Sequence, residues 1–197
     1  MFTETELHSI KLYEAEGIRK EIDDSPLDLD PFAVRTFKRM RQSGHVIDIG
    51  CGHGRIVPLL ADMCIARECY KGIDPSLSQV ALAKELHPGL DFEVGDIYSL
   101  SDTYPSYFDG FWCSMMLMHI PRNRLAEALD SLRQSLKQNA VGIIATPCGV
   151  GVKCDEDGME FTLYQTSELQ AALEQTGFRS SFYNPIPQIQ VGSIVAV

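Results

Sequence analysis

Short apolar runs rich in Val, Ile and Phe alternate along this chain with longer stretches whose apolar positions recur at helical spacing. Leu7, Ile10, Ile18 and Ile22, interspersed with charge, predict a helix over Glu4–Ile22. The acidic, proline-punctuated stretch Asp23–Pro31 reads as a loop. A second helix is expected over Pro31–Gln42, with proline at its start and Gly44 just past its end. From Val46 onward the two periods alternate. The first strand is VIDIG. A helix is expected over Arg55–Arg67, with Pro58 tolerated in its first turn. Cys69–Asp74 reads as the second strand, and Pro75–Leu86 as a helix capped by Asp74 or Ser76 and ended by His87-Pro88-Gly89. Leu90–Asp96 and Tyr107–Ser114 are the third and fourth strands. Leu125, Leu129, Leu132 and Leu136 form one side of an amphipathic helix over Pro121–Gln138. Val141–Thr146 is the fifth strand. After a long loop, Ser167–Gly177 reads as a helix with a Ser167-x-x-Gln170 capping box and a glycine C-cap. Phe178–Asn184 and Gln190–Val197 read as two closing strands, with a turn at Asn184–Pro187 between them.

Strand–helix alternation of this kind predicts an α/β fold: a doubly wound, Rossmann-like, seven-stranded and mostly parallel sheet with helices on both faces. The last two strands have no helix between them, so they are expected as an antiparallel hairpin at one edge. The 197 residues suffice for one domain with a full core. We read 1–44 as a helical cap and 45–197 as the Rossmann-like core of that single domain.

Composition narrows the class. No apolar run approaches the length of a membrane span. The start, MFTETELHSIKLYEAEG, lacks the apolar centre of a signal peptide. The six cysteines show no C-x-x-C spacing. That favours free thiols in a reducing cytoplasm over a disulfide framework or a zinc site. A formal net charge of −10 argues against long nucleic acid as a partner. The one basic cluster, Arg35, Lys38, Arg39 and Arg41, reads first as the solvated face of a helix. The expected form is a monomer or homodimer with no membrane partner.

The chemistry centres on D-I-G-C-G-H-G, Asp48–Gly54. An apolar strand running into glycines lets the backbone turn sharply and a ligand approach its amides, while a following helix would offer unpaired N–H groups. That predicts a nucleotide-type pocket. The dinucleotide fingerprint is G-x-G-x-x-G; here Gly50, Gly52 and Gly54 stand at alternate positions. A nicotinamide-dependent oxidoreductase is therefore the alternative and not the first reading.

The set formed by this segment, Asp74 in KGIDPS, Gly95-Asp96-Ile97, and Phe108–Ser114 continuing as MMLMHIP resembles the class I S-adenosylmethionine-dependent methyltransferases. The likeness runs from about Val46 to Phe178. It implies that Asp48, Gly50, Gly52, Gly54, Asp74, Asp96, Ile97 and Ser114 hold S-adenosyl-L-methionine. Asp74 would take the ribose hydroxyls, because a carboxylate accepts two hydrogen bonds at once. Asp96 would meet the adenine amino group while Ile97 packs the ring. The implied activity is in-line transfer of a methyl group to a small-molecule acceptor, with no metal. His119, just past the fourth strand, is the candidate base, with packing or helix capping as the plain reading. Tyr13 is placed to close over the cofactor, or is an ordinary core tyrosine. Asp74 and Asp96 could also serve only as a helix cap and a turn residue, and Phe111 and Trp112 read as core. Where the family has a K-P-G-G-like turn before the fifth strand, this chain has Lys137-Gln138-Asn139-Ala140. Acceptor choice then falls to the N-terminal helices and the loop Pro147–Glu160. A non-catalytic, S-adenosylmethionine-binding regulatory module is a further alternative, since a fold does not fix a function.

Overall fold

A computed structural model describes residues 1–15, 31–40, 44–186 and 189–197. Its centre is β1 (Val46–Ile49), whose four residues are all buried. A strand covered on both faces reads as a continuous apolar run, which is what VIDI is apart from Asp48. β1 pairs in parallel with β2 (Tyr70–Asp74) on one side and β4 (Phe108–Ser114) on the other. β3 (Asp91–Val94) extends the first side, and β5 (Leu136–Pro147) the second. β8 (Phe178–Ile186) and β9 (Ile189–Ala196) close the sheet as the expected antiparallel hairpin, and β9 docks against β5. The spatial order is β3-β2-β1-β4-β5-β9-β8. The order reverses between β1 and β4, and the carboxyl ends of strands at such a switch point are where open α/β sheets bind ligands.

One core layer lies on each face of the sheet. On one face Phe111, Cys113 and Ile144 meet α4 (Leu100–Thr103), α5 (Leu125–Ser135) and α6 (Thr166–Gln175). On the other, Trp112, Ile143 and Val191 meet α2 (Pro31–Met40), α3 (Leu77–Leu86) and the segment around Ile56, Leu60 and Met63. The Phe37 and Trp112 rings meet edge to face at 5.7 Å. Phe111 and Trp112 are thus core residues, as expected. α1 (Glu4–Glu14) lies outside both layers, across the carboxyl end of the sheet.

Several expectations are corrected. Arg55–Arg67 is not an α-helix: it is a series of turns around a 3-10 segment at Val57–Leu59, held by bonds such as Val57 N–H to Gly54 O and Leu60 N–H to Val57 O. Pro58 has no N–H and disfavours helical ψ at Val57, and two β-branched residues precede it. The loop Pro147–Glu160 instead contains most of an antiparallel hairpin, β6 (Val152–Cys154) with β7 (Glu160–Thr162). β5 begins at Leu136, five residues early. Lys137–Ala140 is therefore a bulge within the strand and not a turn before it, with Asn139 at φ +63°; asparagine tolerates that region better than most residues. The Ser167 capping box does not form, because α6 starts at Thr166 with Gln165 as N-cap and no side-chain cap bond. β8 continues to Ile186, through most of the expected turn.

The first helix ends at Glu14 and the second at Met40 among the described residues; the Asp23–Asp30 loop and Arg41 lie outside them. Arg35, Lys38 and Arg39 are exposed. All six cysteines are free thiols. Among the described residues, no helix is long and apolar enough to cross a membrane.

Candidate active site

The carboxyl ends of β1, β2, β3 and β4 open onto one cavity of about 650 Å³. Asp48, Gly50 and Gly52 line it from β1 and the loop that follows, Asp74 from β2, Asp96 and Ile97 from just past β3, and Ser114 from β4; His119 closes one side. All but one of the residues named from sequence therefore converge. The exception is Gly54, which does not line the cavity. A Cβ there would sit 2.6 Å from His87 Cδ2 and 3.2 Å from Phe92 Cζ, at φ +90°. Gly54 is thus required by packing under the loop. Gly50 faces the opposite constraint: at φ +69°, a Cβ would lie 2.5 Å from Met116 Cγ.

The loop does not present its amides as expected. The N–H groups of Gly50 and Cys51 both donate to Ile73 O at 2.9 Å, Gly52 N–H donates to Asp74 Oδ2 at 2.9 Å, and Gly54 N–H donates to Cys51 O. No regular helix follows to supply free N–H groups. A diphosphate needs such donors, and here they are consumed within the protein.

What the loop region offers instead is negative charge. Asp48 is 3% exposed and accepts from Tyr70 Oη at 2.9 Å. Burial pushes its carboxyl up to about 7 against that hydrogen bond, with the nearby Asp74 adding to the rise. Asp74 accepts from Gly52 N–H and, through Oδ1, from Ser76 N–H at 2.9 Å. Burial lifts it to about 6 despite these two bonds, and Glu14 adds to the rise. Among the described residues neither carboxylate makes an ion pair. Ser76, not Asp74, is the N-cap of α3. Asp96 caps the turn at Ile97–Ser99, with Oδ1 accepting from Tyr98 N–H at 2.8 Å and Ser99 N–H at 3.0 Å.

α1 roofs the cavity with Phe2, Glu6, Ser9, Ile10 and Tyr13. The Tyr13 hydroxyl lies 3.2 Å from His119 Nε2, and the rings meet edge to face. Burial pushes the Tyr13 phenol up to about 12, helped by Asp74 and Asp155 and opposed by Arg55. Burial also drives His119 down to about 4, so its imidazole is neutral at pH 7. In the tautomer in which Tyr13 donates to Nε2, the imidazole proton sits on Nδ1, which is buried and has no partner among the described residues. Phe161, from the β6–β7 hairpin, covers the other side of the ring at 5.5 Å.

Sequence reasoning did not single out Glu6, Tyr98 or Arg124, which clasp the roof. Thr3-x-x-Glu6 forms a true capping box, with Thr3 N–H donating to Glu6 Oε2 at 2.7 Å; that spacing was readable as a helix start. Tyr98 Oη and Arg124 Nη1 both donate to the same Glu6 carboxylate. No local pattern announces these two long-range partners.

Residues 46–139 match a family described as a methyltransferase domain. Comparison with curated proteins gave no match. Among solved structures, DhpI in complex with SAH superposes with a TM-score of 0.75 at 18% identity, covering 96% of this chain and 95% of that one. SAM-bound CalS10, an amino pentose methyltransferase from Micromonospora echinaspora, gives 0.70 at 14% identity, over 92% and 96% of the two chains. A SAM dependent methyltransferase from Archaeoglobus fulgidus gives 0.65 at 17%, over 82% and 90%. At these identities the likeness is one of fold.

Proposed function

The chain carries a methyltransferase domain in the class I fold of the S-adenosylmethionine-dependent methyltransferases, and from that premise we propose that it methylates a small-molecule acceptor. The observation that carries the proposal is the convergence of four adjacent strand ends on one roofed cavity that holds two buried carboxylates with no ion-pair partner among the described residues. The donor set fits the cofactor. Buried carboxylates without an ion pair are costly, and a ligand bearing a sulfonium and an ammonium supplies the missing positive charge. In this reading Asp74 takes the ribose, Asp96 and Ile97 the adenine, and Asp48, Gly50, Gly52 and Ser114 the amino-acid end. In the same reading α1 caps the cavity of the 45–197 core. The free cysteines support a reducing, cytoplasmic setting. CalS10 acts on an amino pentose, so the fold admits a small acceptor.

Held by these residues, S-adenosylmethionine would offer an electrophilic methyl carbon to the acceptor's lone pair, its sulfur keeping the electrons of the broken carbon–sulfur bond. The protein's task is to align the acceptor and exclude water, which in favourable cases is worth roughly 7–11 kcal/mol. α1 provides the exclusion. His119, neutral at pH 7, takes up the acceptor's proton by way of the Tyr13 hydroxyl, which passes its own proton to Nε2 as it receives the one the acceptor loses. Its lowered pKa makes it a weak base, so its effect should fall at the low end for general-base catalysis. We expect His119→Ala to reduce kcat about 100-fold, with less than twofold change in cofactor Kd. Unchanged kcat returns His119 to packing beneath Tyr13.

The reading is tested by titrating the protein with S-adenosylmethionine and with NAD. Binding of the first alone is expected; binding of NAD alone would overturn it in favour of the oxidoreductase. A pH series adds a sharper check. A cation favours the ionised forms of Asp48 and Asp74, whose values stand near 7 and 6. S-adenosylmethionine affinity should therefore rise with pH between 5 and 7, by about tenfold for one unit of coupling, and then level off. Because a folded-state value above the unfolded one means stability lost as pH rises, Asp48→Asn should flatten the binding profile and stabilise the empty protein above pH 7. A profile of the opposite slope would remove the carboxylates from cofactor binding.

A further inference from the structure

The carboxyl-terminal end of α1 rests on the first turn of α3 through one carbonyl. Tyr13 O accepts from Ser78 Oγ and from Gln79 Nε2, both at 3.3 Å. The Ser76 hydroxyl accepts from Gln79 N–H at 3.2 Å and so fixes the backbone of that turn. A carbonyl oxygen only accepts, so the amide nitrogen of Gln79 faces Tyr13 and the amide oxygen faces away from it. That oxygen has no partner among the described residues, although Gln79 is only 4% exposed. An unpaired buried acceptor costs stability until something supplies a donor.

Gln79 lines the cavity, and its oxygen stands beside Gly52. A Cβ built on that glycine, at φ +52°, would meet Gln79 Oε1 at 3.7 Å and no other atom of the described residues within 4 Å. Gly52 is also the residue whose N–H reaches Asp74 Oδ2 at 2.9 Å. Two accepting groups, one from α3 and one from β2, therefore flank the same glycine, and the space over it is open. The other end of the Gln79 amide holds Tyr13, whose hydroxyl lies 3.2 Å from His119 Nε2. One side chain thus runs from the wall of the cavity to its roof. Ser78 holds the same carbonyl but does not line the cavity.

We infer that Gln79 is a positioning residue that couples cofactor binding to the docking of α1: its Oε1 accepts from a ribose hydroxyl of the bound nucleoside while its Nε2 holds Tyr13 O. The inference rests on the methyltransferase reading and adds to it how the roof is set over the site. The last torsion of a glutamine is broad, so Oε1 follows a hydroxyl without releasing the tyrosine. A hydroxyl that donates to the amide oxygen polarises the amide and strengthens its N–H as a donor. With Tyr13 undocked the amide turns freely, and either partner orients it for the other. By linkage, whatever binding adds to the docking of α1, docking returns to cofactor affinity.

The test uses the full chain and follows amide hydrogen exchange of residues 1–15 with and without SAH. Saturating SAH is expected to slow exchange in α1 about tenfold in the unaltered protein. Gln79→Met keeps the length of the side chain and suits a helix, but it has neither the donor nor the acceptor. In that variant SAH should bind about tenfold more weakly and, at saturation, slow exchange by less than twofold; Gln79→Ala should behave alike. Methylthioadenosine carries the ribose and should lose affinity by the same factor. Ser78→Ala takes a bond from Tyr13 O without touching the ligand, so exchange should quicken equally with and without SAH. Full protection by SAH in the Gln79 variants, or its loss in Ser78→Ala as well, overturns the coupling. Unchanged affinity in the Gln79 variants, or a loss confined to SAH, overturns the ribose contact. Failure of SAH to bind the unaltered protein sinks the methyltransferase reading itself.

Discussion

Replacing Asp74 with alanine is expected to weaken S-adenosylmethionine binding about 100-fold, or roughly 2.8 kcal/mol. Two losses add. The carboxylate staples the glycine loop, since its Oδ2 accepts from Gly52 N–H and its Oδ1 from Ser76 N–H. Without it, two backbone donors at the cavity wall lose their partners, and the loop that shapes the site is less fixed. The second loss is the proposed ribose contact. Asp74→Asn separates the two: it keeps an acceptor oxygen for one backbone donor but gives up the charge and one acceptor. We expect it to cost about tenfold in affinity, and by the same factor for S-adenosylmethionine and methylthioadenosine, because both carry the ribose. A loss confined to S-adenosylmethionine would move Asp74 to the amino-acid end of the ligand. Stability should change little in the asparagine variant at pH 7. Burial has already raised the carboxyl to about 6, so removing a charge that is unfavourable when buried offsets the weakened loop bonds. The residue is held in the fold at some cost because the ligand needs it.

That tension explains which parts of the site were legible in sequence. Asp48 lies one residue before the end of β1, Asp74 ends β2 and Asp96 stands just beyond β3, and strand ends announce themselves through apolar runs and turn residues. The parallel sheet follows from the same runs, and so does the closing hairpin. Legibility failed where a long-range partner or a single backbone property decided the outcome. Arg55–Arg67 has helical composition, yet Pro58 and the two β-branched residues before it divert the segment into 3-10 turns. The alternate glycines suggested open amides; the carbonyl of Ile73 and the carboxylate of Asp74 claim three of them. That contact joins residues far apart in sequence, and it separates this site from a diphosphate pocket more firmly than the glycine spacing does. Gly54 belongs to the motif but serves the packing of His87 and Phe92, which no pattern within the motif could reveal. The Pro147–Glu160 stretch carries four glycines or prolines, and these place the turns of a hairpin where a loop was expected.

The second large effect is expected from Arg124→Ala, a residue that touches the roof and not the cavity floor. Glu6 is 5% exposed. Burial alone would raise its carboxyl, but hydrogen bonds from Tyr98, from Thr3 and from Arg124 outweigh burial and hold it below the ordinary range, so it is ionised at pH 7. Arg124 Nη1 reaches Glu6 Oε2 at 2.9 Å and also the Met1 carbonyl at 3.1 Å, while Nε and Nη2 fork onto Glu127. Its guanidinium lies 3.6 Å over the Tyr98 ring. Removing it leaves a buried carboxylate without its cation, a change that costs about 3–5 kcal/mol when nothing relaxes. Here something can relax, because α1 lies outside both core layers and can swing its first turns into water. The penalty should therefore appear as undocking of α1 more than as global unfolding. Three readings should move together: faster protease cleavage within 1–15, S-adenosylmethionine affinity down about 30-fold through faster release, and a thermal midpoint lower by only a few degrees. At the other end of α1, Ser78 Oγ and Gln79 Nε2 donate to Tyr13 O at 3.3 Å, so the helix should hinge there and not detach. Glu6→Gln in the Arg124→Ala background removes the stranded charge and should restore most of the affinity, giving a strongly non-additive double-mutant cycle. Additive losses, or an Arg124→Ala protein with unchanged release rate, would show that the clasp stabilises the fold without controlling access to the site.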